Sequence, residues 1–334
     1  MGATPNQFHP FHILIYRGMN LLMLILLINN ISCIKEKEPR AKEILDTYQN
    51  VAAKLNFSEV TTEAGLGYFR HDNGSFGKMW FPEQMGSGCG FIDYNDDGWI
   101  DILLVGGGGW TGHTKRDVKA LWLYKNNKNG TFTEVTEEAG LGFINTYGLG
   151  IVAADYDNDG DQDIYLTSLG RNILLSNQDG IYKDVSQQSG LGNRIEWSSS
   201  AIFFDADKDG WIDLYVGNYA MWSPAGDLWC SLDNKTKVYC PPEMYVGIPS
   251  RFYHNNGDGT FTDHTQIAGF IPAPGKSLGV VQLDYNNDGW PDLAVANDGE
   301  RDLLYQNNGD GTFTEKGTKL GMAYGENGEA RAGM

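Results

Sequence analysis

Four nine-residue stretches share the pattern Asp-x-Asp/Asn-x-Asp-Gly-x-x-Asp: 93–101 (DYNDDGWID), 155–163 (DYDNDGDQD), 205–213 (DADKDGWID) and 284–292 (DYNNDGWPD). The spacing suits a hard divalent cation. Oxygens at positions 1, 3 and 5 converge, the glycine at 6 permits the sharp turn, the carbonyl at 7 points inward and the aspartate at 9 closes the shell. The expected Ca²⁺ ligands are Asp93, Asn95, Asp97, Trp99 and Asp101; Asp155, Asp157, Asp159, Asp161 and Asp163; Asp205, Asp207, Asp209, Trp211 and Asp213; and Asp284, Asn286, Asp288, Trp290 and Asp292. The residue at position 7 of each set would contribute its main-chain oxygen. A single copy is also ordinary turn chemistry, since Asp, Asn and Gly favour turns. Four copies in one register require another cause.

Short apolar runs flank every loop: GCGFI, IVAA, SAIFF and GVVQL before, ILLV, IYLT, LYVG and LAVA after. Their length and β-rich composition predict that each loop joins two antiparallel strands. An EF-hand would place helices there and a glutamate at position 12. Downstream of each pair lies a second hairpin, as in LWLYKNNKNGTFTEVT (121–136) and LLYQNNGDGTFTEK (303–316), with Asn-Gly or Asp-Gly where positive φ is needed. Two hairpins make one four-stranded blade, so the expected fold is all-β, a β-propeller carrying a loop in each blade.

The unit "D-x-[DN]-x-D-G-x-x-D, then L-Y-x-N-N-G-D-G-T-F-T-[DE]" resembles the FG-GAP or VCBS repeat of integrin-alpha-type propellers. The phrase EVTEEAGLG (134–142) and the segment from NYAMWSP to NNGDGTF (218–261) are similar, more narrowly, to bacterial relatives of cartilage acidic protein. The resemblance covers 57–334. It implies Ca²⁺ as the cofactor and further blades with a UnbV-type domain, which are not written here. Phe57–Thr61 (FSEVT) matches the outermost strand of a blade and the terminal ARAGM the lead-in to another inner strand, so an incomplete ring is expected.

Composition is consistent with this. The 334 residues carry 43 Asp+Glu against 25 Lys+Arg, a net charge of −18, and 16 of the acids fall in the four loops. No basic stripe is present to neutralise phosphates, which argues against nucleic acid as a partner.

At the N-terminus, residues 21–28 (LLMLILLI) are too short to span a bilayer and match the apolar core of a signal peptide, with Met19 an alternative start. Ser32-Cys33 resembles a loose lipobox, making Cys33 the lipidated residue of an exported, outer-membrane or cell-surface lipoprotein; an uncleaved anchor, or an ordinary signal with an incidental cysteine, is the alternative. The domains read as a signal region at 1–32, a charged tether with a short helix at 33–56, and blades at 57–334. A lipid anchor would be the only membrane contact. Cys230 and Cys240, with nine residues between them in one insertion, read as a disulfide of an exported protein. Cys89 is expected to be a buried free thiol.

If every metal loop joins first and second strands, all four lie on one face. The opposite face then collects the residues by which blades differ, among them His71, Trp80, Trp110, His113, Glu196 and Lys276. Of these loops, Arg171, Arg194, Trp197, Trp222, Trp229 and Arg301 are the expected contacts to an extracellular glycan or protein, since flat aromatics beside guanidinium donors suit hydroxyls and carboxylates. The plain alternative is that the aromatics pack insertions against blades. A glycan-active enzyme using Glu196 or His71 is a second class of function, and a passive scaffold a third. No nucleophile elbow, HExxH or free carboxylate pair appears, so no catalytic residue is assigned.

Overall fold

A computed structural model describes residues 57–73, 77–108, 119–270 and 275–330. The chain separates into two compact units, Met1–Glu59 and Val60–Met334, and every described strand belongs to the second. The expected signal region, tether helix and Cys33, with Trp110 and His113, lie outside the described residues.

Among the described residues, sixteen strands form four blades of four. The first holds β1 (Cys89–Ile92), β2 (Asp101–Val105), β3 (Leu121–Asn126) and β4 (Phe132–Glu134). The second holds β5 (Tyr147–Ala154), β6 (Asp163–Gly170), β7 (Ile173–Gln178) and β8 (Ile181–Asp184). The third holds β9 (Glu196–Phe204), β10 (Asp213–Asn218), β11 (Arg251–Asn255) and β12 (Phe261–Asp263). The fourth holds β13 (Ser277–Leu283), β14 (Asp292–Asn297), β15 (Leu303–Asn307) and β16 (Phe313–Glu315). Consecutive strands within each blade pair antiparallel. Blades two and three are also stitched where Leu169 meets Trp197 and Gly170 meets Glu196. Among the described residues no pairing joins β13 to β1, an arrangement consistent with an incomplete propeller.

The core lies between blades, because each sheet is apolar on both faces along its middle strands. Leu103, Val105, Leu121 and Leu123 pack on Ile164, Leu166, Ile173 and Leu175. Tyr165 and Leu174 meet Phe203, Leu214, Val216 and Tyr253. Phe204, Tyr215 and Phe252 meet Leu293, Val295, Leu303, Tyr305 and Phe313.

A second device links the blades. The turn that leads into each blade, written VTTEAG, VTEEAG, VSQQSG and HTQIAG, offers one carbonyl to that blade's outermost strand. Phe132 N donates to Ala64 O at 2.8 Å, Tyr182 N to Ala139 O at 2.9 Å, Phe261 N to Ser189 O at 2.8 Å and Phe313 N to Ala268 O at 2.7 Å. The glycine of this turn has positive φ, and at Gly65 a Cβ would stand 2.5 Å from Phe132 O, so no larger residue fits.

Two expectations are corrected. Residues 57–60 are not in a strand, and Val60–Gly65 form the turn that caps the first blade's β4, so FSEVT enters a turn rather than an outer strand. Cys89 is free but exposed, because the side of β1 that a preceding inner strand would cover has no described neighbour.

Candidate functional site

All four loops adopt one conformation. The first aspartate accepts backbone amides from its own turn: Asp93 from Asp97 N (3.0 Å) and Gly98 N (2.8 Å), Asp155 from Asp159 N (3.1 Å) and Gly160 N (3.0 Å), Asp284 from Asp288 N (3.1 Å) and Gly289 N (2.9 Å). Asp205 accepts from Gly210 N at 3.2 Å. Positions 4 and 6 have positive φ in every copy: Asp96 and Gly98, Asn158 and Gly160, Lys208 and Gly210, Asn287 and Gly289. Asp or Asn tolerates this at position 4 of three loops, where the third carries Lys208, and glycine takes the more open value at 6. The ninth-position aspartates Asp101, Asp163, Asp213 and Asp292 are buried. Each accepts from the amide of the second loop residue and from the amide closing the third strand, as Asp163 does from Tyr156 N (3.1 Å) and Asn177 N (2.8 Å).

In the second loop the oxygens of positions 1, 3 and 5 converge, Asp155, Asp157 and Asp159 lying within 4.8 Å of one another. Asp157 Oδ1 and Asp205 Oδ1 are buried with no hydrogen-bond partner among the described residues. Burial, then the neighbouring Asp159 and Asp155, raise the Asp157 carboxyl above its usual range. Burial pushes Asp163 up to about 7, and raises Asp101, Asp213 and Asp292 as well. Repelling, desolvated carboxylates with free lone pairs fit a divalent cation. In the first loop, burial of Asp97 is outweighed by the Trp99 amide and by Lys128, whose Nζ lies 3.4 Å away, so its carboxyl stays below the ordinary value.

A family model described as FG-GAP-like repeat matches residues 93–166, 242–295 and 284–331. These are FG-GAP-like repeats. No curated protein matches the chain. Among solved structures, the chain is similar to one described as the basis of specific recognition of non-reducing terminal N-acetylglucosamine by an Agrocybe aegerita lectin, with 18% identity and a TM-score of 0.36 over 67% of this chain and 49% of that one. The chain thus spans about half the length of that protein.

Residues that sequence reasoning did not single out tie the FG-GAP-like loops together. The first asparagine of the Asn-Asn or Asn-Gln step after each third strand reaches the loop of the preceding blade: Asn177 Nδ2 donates to Tyr94 O (2.9 Å), Asn255 to Tyr156 O (2.8 Å) and Asn307 to Ala206 O (2.7 Å). Further links join Asp93 N to Gln162 Oε1 (2.8 Å), Asn158 Nδ2 to Gly210 O (3.1 Å), and Lys208 Nζ to the face of Trp290 (4.0 Å). The only signal was the repetition of asparagine, which hairpin chemistry already explained. Trp211 and Trp290 lie over Gly257 and Gly309, where a Cβ would come within about 3 Å of each indole.

At the other end of the strands, residues beginning β5, β9 and β11 and ending β6 surround a cavity of about 870 Å³. Its wall includes Arg171, Glu196, Trp197, Trp222 and Arg251. The insertion 219–250 crosses this face, is closed by the Cys230–Cys240 disulfide, and meets the segment Trp80–Met85. Phe81 stacks on Tyr245 with centroids 4.1 Å apart, and Tyr239 Oη donates to Glu83 Oε2 at 2.8 Å.

The six expected contact residues are dispersed over this face. Trp197 is 1% exposed and packs against Phe81, Tyr219 and Trp222, so it reaches the cavity only as wall. Trp222 is half-buried and donates from Nε1 to Asp227 at 2.6 Å. Trp229 is 66% exposed and does not line the cavity. Arg171 pairs with Asp184 (2.8 Å), Arg194 with Asp263 (2.7 Å) and Arg301 with Glu315 (3.6 Å). Arg301 borders a smaller cavity with Asn297, Glu300 and Tyr324. Glu196 is held by Arg251 and by Asn218 Nδ2 at 3.0 Å, and His71 Nδ1 is 2.8 Å from Ser87 Oγ.

Proposed function

We propose that this is an exported, calcium-binding FG-GAP-like propeller that serves as a binding module for an extracellular glycan or protein. Calcium, held by the ligand sets named above, would consolidate one face and leave the other for recognition. The observation that carries the reading is the cavity walled by Arg171, Trp197 and Trp222 on the side away from the loops. Blade-forming residues are committed to core and turns, so specificity falls to segments where blades differ. Around the cavity, exposed Ile195 and Met221 offer apolar contact beside the guanidinium of Arg171, a combination suited to sugar rings or to a protein loop. Glu196, the carboxylate nearest an enzymatic role, is bonded to Arg251 and Asn218, which favours binding over turnover.

Export, with Cys33 as lipid attachment point, rests on the short apolar segment and Ser32-Cys33, and agrees with the Cys230–Cys240 disulfide. Among the described residues no helix is long and apolar enough to cross a membrane. Mass spectrometry of the mature N-terminus tests this part, and a peptide spanning unmodified Cys33 refutes it.

For binding, the full chain in calcium is applied to a glycan array and to immobilised candidate surface proteins, with Arg171→Ala and Trp222→Ala alongside. A hit lost in both variants while the melting temperature holds supports the cavity. Retention of every hit in both refutes it.

A further inference from the structure

One register position distinguishes the four loops. The residue before the bridging asparagine on β3, β7, β11 and β15 is Lys125, Ser176, His254 and Gln306, and it sits opposite Thr133, Lys183, Thr262 and Thr314 on the neighbouring strand. In the first blade an ammonium occupies the neighbourhood of the loop, Lys125 Nζ lying 3.9 Å from Asp97 Oδ2. In the third an imidazole does. His254 Nδ1 stands 3.9 Å from Asp207 Oδ2 and 3.0 Å from Asp213 Oδ1.

We infer that the third loop is a mixed nitrogen–oxygen site for a transition-metal dication, held by Asp207, Asp209 and His254. The ligand atoms of these three side chains all lie within 4.8 Å of one another, a spacing that one ion can bridge. Calcium takes oxygen ligands, whereas imidazole beside carboxylates suits zinc, cobalt or nickel. Two further observations point to a cation at this loop. Asp205 Oδ1, at the first position, is buried without a hydrogen-bond partner. The His254 ring is also fixed in plane, stacked on His264 with centroids 4.9 Å apart and 7° between planes, and its Nδ1, the nitrogen that faces Asp207, also lies 3.0 Å from Asp213 Oδ1, so a cation there would replace the proton that Nδ1 shares with that carboxylate. The second blade also groups three carboxylates, Asp155, Asp157 and Asp159, but its strand supplies Ser176, so its donors are oxygen alone.

The inference rests on the loops being cation sites, and the experiment separates the two. The full chain, freed of metal with chelator, is titrated separately with CaCl₂ and with CoCl₂ by calorimetry and visible absorption, beside His254→Gln, which installs the residue of the fourth blade. One tight cobalt site is expected in the parent chain, with a d–d band, weakened at least tenfold in the variant while calcium stoichiometry and melting temperature in calcium are unchanged. Equal cobalt affinity in the two proteins, or calcium binding with no tight cobalt event, overturns the mixed site alone. Failure of both cations to bind overturns it together with the reading of the loops.

Discussion

Asn307 Nδ2 donates to the carbonyl of Ala206 at 2.7 Å, joining the fourth blade to the loop of the third across 101 positions of sequence. The same amide reaches Pro291 O in its own loop, and the side chain is buried. Asn255 and Asn177 repeat the arrangement one and two blades earlier. Loop conformation and blade docking therefore depend on the same side chains.

Replacing Asn307 by alanine leaves two buried carbonyls unpartnered, and the expected loss is about 1–3 kcal/mol. The adjacent Asn308 bonds only to exposed Thr312 and Thr314, so Asn308→Ala should cost no more than about 0.5 kcal/mol. Urea denaturation of the pair measures the difference. Equal losses would show that the inter-blade bond contributes nothing.

Calcium should stabilise the protein, by about 2.7 kcal/mol for a site at a hundredfold excess over its Kd, and the effect should grow with pH. The Asp163 carboxyl, raised to about 7 by burial, lies above its unfolded value. Its contribution to the cation-free fold is thus full below the unfolded pKa and lost as pH rises through about 7. Deprotonation also makes the ligand that calcium requires. The melting-temperature gap between calcium and chelator should therefore widen from about pH 5 to about pH 8. A gap that is constant or narrows contradicts this.

Trp197 and Trp229 should separate packing from recognition. Trp197→Ala empties the centre of an aromatic cluster and should cost about 3–5 kcal/mol. Trp229→Ala, on an exposed side chain, should leave the melting temperature within about a degree or two, since surface changes are usually within about 0.5 kcal/mol. Thermal denaturation of the two variants decides it, and a large loss at Trp229 would make it a packing residue.

The disulfide should matter mainly to its own lobe. Cys230 and Cys240 close a loop whose Val238 N bonds back to Cys230 O at 2.8 Å, and Cys240 is buried among the aromatics of that face. Cys230→Ser with Cys240→Ser should cost about 2–3 kcal/mol and expose residues 231–239 to protease. An unchanged digestion pattern would show the lobe to be held by packing alone.

The loops, their connecting strands and the four-blade organisation were legible in the sequence because each is local. A nine-residue oxygen pattern, a two-residue turn and a short apolar run carry their geometry with them, and repetition removed the ambiguity of each copy. The tertiary structure decided what depends on distance. It buried Trp197 while leaving Trp229 exposed, although both are tryptophans of the same face, because only Trp197 lies where the insertion 219–250 folds onto Trp80 and Phe81. It paired Arg171, Arg194 and Arg301 with Asp184, Asp263 and Glu315, partners that composition cannot assign. It gave the repeated asparagines a reach across blades, and set His254 beside Asp207 and Asp213, since the third strand of a blade meets the loop between the first two only when the sheet is assembled.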